Sequence, residues 1–318
     1  MNRILLFSII SVCILSSCEK IIYINLDEGE QKIVLNGALS PDSSVVVHVT
    51  RTRQISQAGP DYWEQPEPDS MIVDDVVLYE DGRLIGHLEH LRDYFFGVPD
   101  FWPSAGKTYR LEASSGKMKP ATATVTIPVS IPINSFDTVR FLRDNWQPAV
   151  RISMQFTDPG VEENYYALEI VGIQHYYDWR NNVFTDSIIA FHFAPTGLVG
   201  RVNDVLDLDF LDINQEFRIE RKLLFSDQLF NGKVFDLSFD ILKDYSYRME
   251  DTVRFKVGLL KVEKPAFLFA VSMQKYGQAQ GNPFAEPVQL YTNVENGFGL
   301  VSAFNAEWRE LTVVWTDR

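Results

Sequence analysis

Apolar and polar residues alternate along much of the chain with a period of two, the pattern typical of half-buried β-strands. The alternation is clear in the segments 45–50, 150–157, 235–241 and 253–259. In each segment one set of alternate positions is apolar and the other is mostly polar. One face of each strand is therefore predicted to pack on a core and the other to face water. The pattern predicts a mainly β protein built from antiparallel sheets.

Turn residues and a run of helix formers complete the predicted elements. Asp81-Gly82 separates two apolar runs, and both residues tolerate positive φ, so a tight hairpin is predicted there. Further strands are predicted at 108–113 and 122–127, and the last strand includes Leu311 to Trp315. One helix is predicted at 265–280, because proline suits the first helical turn and good helix formers follow it.

Prolines divide the chain near residue 130. Pro128 and Pro132 cannot donate to a sheet ladder, and they restrict the residues before them, so a domain boundary is predicted here. Residues 31–130 resemble a small immunoglobulin-like or transthyretin-like β-sandwich. Residues 131–318 are predicted to form a larger antiparallel β domain with one or two short helices.

The beginning of the chain has the features of an exported lipoprotein. Arg3 precedes the apolar run 4–14, which is too short to span a bilayer and fits a secretory signal. Leu15-Ser16-Ser17-Cys18 follows it and resembles a lipobox, in which only a cysteine thiol can form the thioether to the lipid. We therefore expect residues 1–17 to be removed, Cys18 to be lipidated, and residues 18–30 to be a tether. Several acyl chains together would hold the protein at a membrane.

Composition narrows the chemistry that is open to the mature protein. The sequence has 2 cysteines; Cys13 leaves with the signal and Cys18 carries the lipid. No thiol then remains for a disulfide, a metal site or a nucleophile. The formal net charge of −14 argues against nucleic acid or anionic lipid as a partner.

Catalytic and metal-binding motifs are missing from the sequence. It has no serine nucleophile elbow, no zinc-protease motif and no glycine-rich phosphate loop. His87 and His90 are the only close pair of histidines, and a spacing of three places them on opposite faces of a strand. The acidic stretch 204–214 lacks the glycine of a calcium loop, which favours the solvent face of a strand. No metal, cofactor or catalytic residue is therefore predicted.

Acidic residues leave one enzymatic alternative open. A glycosidase needs two carboxylates about 5–10 Å apart on either side of a sugar bond. With 43 acidic residues, spacing along the chain cannot select such a pair. A glycan hydrolase that uses Asp or Glu is neither supported nor excluded.

Three aromatic clusters lie in polar, turn-rich surroundings. Aromatic side chains on loops can stack on sugars or anchor a protein partner, or they can fold back as small cores under the loops. The first cluster is Tyr62-Trp63. The candidates for binding a ligand or partner come from the other two clusters: Phe101, Trp102, Tyr176, Tyr177 and Trp179.

Four segments together carry a resemblance to a known family. They are Cys18-Glu19-Lys20, Val34-Leu35-Asn36-Gly37, Phe225 to Lys233 (FSDQLFNGK) and Asn282 to Leu300 (NPFAEPVQLYTNVENGFGL). In combination they resemble the Bacteroidota outer-membrane lipoprotein family called domain of unknown function 4249. The resemblance covers nearly the whole mature chain, and none of the four segments is catalytic.

The last of these segments has the features of a structural motif. Pro283 and Pro287 would rigidify an extended segment after the helix. Asn296-Gly297 would form a turn, and Gly299 would permit a close approach of the backbone. We therefore expect substitution of Gly297 to impair folding.

The resemblance implies a function in uptake or surface assembly. Members of the family are commonly found beside TonB-dependent outer-membrane receptors. The expected function is a non-catalytic, lipid-anchored outer-membrane accessory that binds such a receptor or its cargo. The alternatives are the glycan hydrolase and a purely structural envelope lipoprotein. The cell-surface face of the outer membrane is favoured over the periplasmic face, although only Glu19 follows Cys18 closely as an acidic residue.

Overall fold

Two β-sandwiches share one long sheet. A computed structural model describes residues 29–52, 73–116, 118–178, 180–189, 191–194, 206–207, 220–243, 252–279 and 286–315. These residues form 18 strands and one helix, so the predicted mainly β fold is confirmed. Cys18 and the predicted signal lie outside the described residues, as do Tyr62-Trp63 and most of the acidic stretch 204–214.

The first sandwich contains eight strands, in two layers ordered β1-β2-β6-β5 and β4-β3-β7-β8. Alternate apolar residues from both layers, such as Leu35, Val47, Leu78 and Leu111, are buried in one core. Asp81 and Gly82 have φ of 47° and 82° and connect β3 to β4, which confirms the predicted hairpin. The strands are β1 (Ile33–Leu39), β2 (Val45–Arg51), β3 (Asp75–Glu80), β4 (Arg83–His87), β5 (Glu89–Arg92), β6 (Phe95–Val98), β7 (Thr108–Ser114) and β8 (Ala121–Thr126).

The second sandwich has an aromatic core. A layer ordered β13-β16-β10-β9 packs against a layer that contains β15, β11, β17 and β18. Phe156, Tyr166, Phe225, Phe239 and Phe255 meet between the layers, and each is fully buried. The strands are β9 (Ile133–Arg143), β10 (Gln147–Thr157), β11 (Tyr165–Asp178), β12 (Val183–Ile189), β13 (His192–Ala194), β14 (Leu206–Asp207), β15 (Glu220–Ser226), β16 (Val234–Leu242), β17 (Thr252–Val262) and β18 (Val301–Val314).

Strand β18 belongs to both sandwiches. Its residues 301–303 pair in parallel with β1, and its residues 304–314 pair antiparallel with β17. Val301 and Ala303 are therefore buried in the first core, although they come late in the sequence. The first core takes residues up to Ile127 and the second begins at Ile131, but the chain returns to the first core near its end. The boundary near residue 130 stays a prediction.

Polar contacts reinforce the junction between the sandwiches. The backbone N–H of Thr126 donates to Oε1 of Glu263 at 2.6 Å, and Nδ2 of Asn305 donates to the carbonyl of Pro128 at 3.0 Å. Burial raises the pKa of Glu263 to about 7. Its other carboxyl oxygen is buried without a hydrogen-bond partner.

Helix α1 (Lys264–Ala279) covers the outer face of the long sheet. Its buried residues Phe267 and Ala270 pack on Tyr165, Ala167 and Leu260, which point away from the core of the second sandwich. The helix predicted at 265–280 is confirmed to within one residue at each end. No helix in the described ranges is long and apolar enough to cross a membrane.

Candidate functional site

The family-like segment near the end of the chain connects the two layers of the first sandwich. Phe298 N–H donates to the carbonyl of Ile33 at 2.9 Å, and Leu35 N–H donates to the carbonyl of Phe298 at 2.9 Å. Three residues earlier, Glu295 and Thr122 exchange backbone hydrogen bonds of 2.7 and 3.1 Å. The segment therefore hydrogen-bonds to β1 in one layer and to β8 in the other.

Side chains and glycines fix this segment in place. Nδ2 of Asn293 donates to the carbonyl of Val301 at 2.7 Å, and Oδ1 of Asn36 accepts from the N–H of Leu300 at 3.0 Å. Asn296 and Gly299 have φ of 57° and 107°. The geometry fits a role in holding the fold, because these groups are occupied by contacts within the chain. Pro287 lies in the described residues 286–290, which belong to no strand or helix, and Pro283 lies outside the described residues.

The family-like segment 225–233 packs against the turn after β10. The Asp158 carboxylate accepts from the N–H groups of Gly160 at 2.9 Å and Gly232 at 2.7 Å, and from the Tyr166 hydroxyl at 2.5 Å. The two loops touch so closely that a Cβ atom on Gly160 would lie 2.4 Å from Cα of Gly232. Burial and the hydrogen bond to Asp158 raise the pKa of Tyr166.

A second buried carboxylate lies beside this network. Asp227 is fully buried and accepts from the backbone N–H of Asn164 at 2.8 Å and from its Nδ2 at 3.2 Å. Burial raises the pKa of Asp227. Because Asp158 and Asp227 are 2% and 0% exposed, no glycan can reach them, and they are poor candidates for the carboxylates of a hydrolase.

No metal centre emerges from the part of the chain that the structure describes. Within it, no group of three or more His, Cys, Asp or Glu side chains is placed to hold a metal ion. His87 contacts Asp75 at 2.8 Å, whereas His90 contacts the carbonyl of Asp93 at 2.8 Å. The two histidines thus have different partners.

Phe101 and Trp102, the candidates from the second aromatic cluster, have different environments in the structure. Phe101 packs against the first core, with its ring edge-on to Tyr109 at 6.1 Å. Trp102 is 58% exposed. Trp102 therefore remains available to a partner, whereas Phe101 mainly completes the core.

The third aromatic cluster lies on the hairpin formed by β11 and β12. Tyr177 is half-buried and donates its hydroxyl to Asn182. Phe184, from the returning strand, is 66% exposed and stacks on His175 with a centroid distance of 5.2 Å. Tyr177 approaches Phe184 edge-on at 5.0 Å. Trp179 and the side chain of Tyr176 lie outside the described residues.

Charged groups flank these rings. Nδ1 of His175 lies 2.8 Å from Asp186, and the Arg254 guanidinium donates to the other oxygen of that carboxylate at 2.8 Å. The hydrogen bond with His175 and the charge of Arg254 hold the pKa of Asp186 below its ordinary value. A shallow cavity of about 180 Å³ opens among them. We call the residues His175, Tyr177, Phe184, Asp186 and Arg254 the hairpin surface.

Sequence reasoning found only one residue of the hairpin surface, Tyr177. Phe184 follows Val183 and precedes Thr185, so it has no aromatic neighbour in the sequence and no aromatic cluster marks it. Its partners His175, Asp186 and Arg254 come from three strands, and their register brings them together. The turn at 180–182 was the one sequence signal for Phe184. A residue two positions beyond a hairpin turn pairs with a residue of the preceding strand, and here that residue is Tyr177.

A larger cleft opens at one end of the second sandwich. It measures about 430 Å³, and its lining residues are apolar except for Arg140, although polar atoms make up about half of the accessible wall. Trp315 lines the cleft but is only 3% exposed, and its Nε1 is buried without a hydrogen-bond partner. An unsatisfied buried donor costs about 1–3 kcal/mol. We call this site the end cleft; it is lined by Arg140, Phe141, Leu142, Pro148, Ala149, Val150, Val313, Val314 and Trp315.

Comparison with known proteins identifies the family. The family model described as "Domain of unknown function (DUF4249)" matches residues 19–309. The chain belongs to this family. The DUF4249 match spans both sandwiches. It includes the segment 225–233 and the segment from Asn282 to Leu300. No curated protein matches the chain.

Similar solved structures add no functional argument. A putative membrane anchored protein from Corynebacterium diphtheriae shares 11% identity over 72% of this chain and 54% of its own, with a TM-score of 0.22. The chain thus spans about half of that protein. Trypsin-activated alpha-2-macroglobulin from Escherichia coli (7% identity, 90% and 16% covered) and the collagen adhesin from S. aureus (7%, 90% and 95%) both have TM-scores of 0.21.

Proposed function

We propose that this DUF4249 protein is a lipid-anchored accessory of the outer membrane. It binds a protein partner, a TonB-dependent receptor or the cargo of one, through the hairpin surface. The lipobox-like sequence at Cys18 supports the anchor. The observation that carries the binding role is the exposure of Phe184, which is 66% exposed on the hairpin of β11 and β12.

The hairpin surface has the composition of a protein-binding site. Protein interfaces concentrate their binding energy in a few aromatic and arginine side chains, with polar groups at the rim. Phe184 and its neighbour Val183, which is 50% exposed, offer the apolar centre. Asp186 and Arg254 offer the charged rim, and their mutual ion pair fixes the direction in which each presents its charge.

The experiment is co-purification from gently solubilised outer membranes, with the partners identified by mass spectrometry. We expect a stoichiometric β-barrel receptor to accompany the wild type and to be lost with Phe184→Ser. Cys18→Ala tests the anchor and should also lose the receptor. The matched control is Val161→Ser, which changes a 90% exposed apolar residue on another loop and should retain it.

Two results would count against the proposal. A wild-type protein that purifies alone would favour the purely structural envelope lipoprotein. A receptor retained equally by Phe184→Ser would place the interface elsewhere on the molecule, with exposed Trp102 as the next residue to substitute.

A further inference from the structure

The end cleft contains an arginine where the strand pattern calls for an apolar residue. Arg140 of β9 is the cross-strand partner of Val150, which is buried in the second core. Directly paired residues share one face of a sheet, so Arg140 lies on the core-facing side of β9. The same face carries Thr138 and Phe136 opposite Ile152 and Met154. Arg140 is nevertheless exposed, so its charge lies at the edge of the core and lines the cleft.

Within the described part of the chain, no acidic side chain neutralises the guanidinium of Arg140. No hydrogen bond or ion pair in the described ranges involves it. The cleft thus presents one cation, and the described part of its lining contributes no acidic side chain.

The other residues that line the cleft are apolar, although polar atoms contribute about half of the accessible wall. Val150, Val313 and Trp315 belong to the second core, and Leu142 and Val314 are 53% and 38% exposed at the opening. The volume of about 430 Å³ falls within the range of small-molecule sites. A ligand that fits such a site has an apolar body and one anionic end that can accept hydrogen bonds.

We infer that the end cleft binds small amphipathic carboxylates, with the apolar chain between the layers and the carboxylate held by Arg140. Arginine suits this role because its planar guanidinium pairs with a carboxylate through two hydrogen bonds. The site is distinct from the hairpin surface, and the inference does not rest on the proposed partner.

A different explanation exists for Arg140 alone. β9 is the last strand in its layer within the described part of the chain, and an inward-pointing charge on an edge strand can deter pairing with other molecules. That role does not need a cleft. The two explanations differ in what Arg140→Gln does to ligand binding.

The test uses decanoate as the probe and residues 18–318 with Cys18→Ala, so that neither lipid nor detergent competes. Titration calorimetry gives the affinity, and the indole N–H signals in a ¹⁵N–¹H NMR spectrum give the location. The Trp315 signal is assigned by its disappearance in Trp315→Phe. Decan-1-ol serves as the uncharged analogue and octanoate as the shorter chain.

We expect decanoate to shift the Trp315 indole signal saturably and to bind roughly tenfold more tightly than octanoate, because two more CH₂ groups are buried. Arg140→Gln should weaken decanoate about tenfold and leave decan-1-ol unchanged. Arg143→Gln removes the same charge from the opposite face of β9 and should have no effect. The absence of a saturable shift at Trp315, or equal binding of decanoate by Arg140→Gln, would overturn the inference.

Discussion

Gly299 lies directly against the backbone of β1, so that a Cβ atom on Gly299 would be 2.2 Å from the carbonyl oxygen of Leu35. Real Cβ atoms do not approach an oxygen so closely, and the φ of 107° is in any case one that favours glycine. Gly297 is similarly enclosed, since a Cβ atom there would lie 2.6 Å from the carbonyl oxygen of Ile33. Both contacts involve backbone, which cannot move without breaking the pairing of β1.

Substitution of either glycine is expected to destabilise the whole protein. Gly299→Ala and Gly297→Val should each lower the free energy of unfolding by about 2–4 kcal/mol, because the new side chain forces the segment away from β1. Urea denaturation followed by circular dichroism measures the loss.

The matched control is Gly277→Ala in helix α1, where a Cβ atom meets nothing within 4 Å. It should stabilise by about 0.5–1 kcal/mol, because alanine has the higher helix propensity. If Gly297→Val melted like the wild type but lost a partner, the segment would be a binding site and not a structural one.

Removal of the Tyr166 hydroxyl should loosen the contact between the loops at Asp158 and Gly232. Tyr166→Phe keeps the buried ring but leaves Asp158 with only two backbone donors, so we expect a loss of about 1.5–3 kcal/mol. Chemical denaturation checks this value against Tyr276→Phe, which removes a hydroxyl from an exposed helical residue and should change stability little. A loss equal to that of the control would show that the hydrogen bond to Asp158 contributes nothing net.

Ionisation of Glu263 should make stability depend on pH. Burial raises its pKa from 4.5 to about 7, so the folded state binds this proton more tightly than the unfolded state. The resulting contribution to the free energy of unfolding is fully present below about pH 4.5 and is lost as the pH rises toward 7. At pH 8 the protein must keep a charged, partly buried carboxylate at the junction between the sandwiches.

Glu263→Gln tests this dependence, because the amide oxygen can still accept from Thr126 without a charge. At pH 8 the variant should be more stable than the wild type by about 1–2 kcal/mol, a figure reduced for solvent screening. At pH 4.5 the difference should shrink toward zero. Thermal melts of the wild type and Glu263→Gln at pH 8 and pH 4.5 measure this difference. A difference that does not change with pH would show that the ionisation of Glu263 does not cause it.

Truncation of Phe184 should affect binding and leave the fold intact. The side chain is mostly exposed and contacts His175 and Tyr177 on the same hairpin. Phe184→Ser is therefore expected to change the free energy of unfolding by no more than about 0.5 kcal/mol. A large loss of stability would mean that failure to retain a receptor reports misfolding, and Trp102→Ser would then be the better probe of a surface interaction.

Local sequence patterns predicted the strands, the hairpin and the helix well, because these elements depend on residues close in sequence. The alternation at 235–241 and 253–259 reports which side of a strand is buried, and Asp81-Gly82 can adopt the positive φ values that a tight hairpin needs. The helix at Lys264–Ala279 follows from helix formers after a proline. Each of these features is set by the backbone preferences and burial of a few consecutive residues.

The double role of β18 was not predictable in the same way. Nothing in the alternation of residues 301–314 indicates that three residues pair with β1 and the rest with β17. Pairing of distant strands depends on which edges remain free after the other strands have formed, and this is a property of the whole sheet.

The sequence by itself determined a mainly β chain, one helix, a lipobox-like beginning and a set of motifs that mark the family, because all of these are local patterns. Only the tertiary structure decided what the motifs do and where ligands could bind. It placed Gly299 against Leu35, separated exposed Trp102 from packed Phe101, and turned Arg140 toward the end cleft. These outcomes depend on contacts between strands far apart in sequence, whose registers are fixed only when the cores pack.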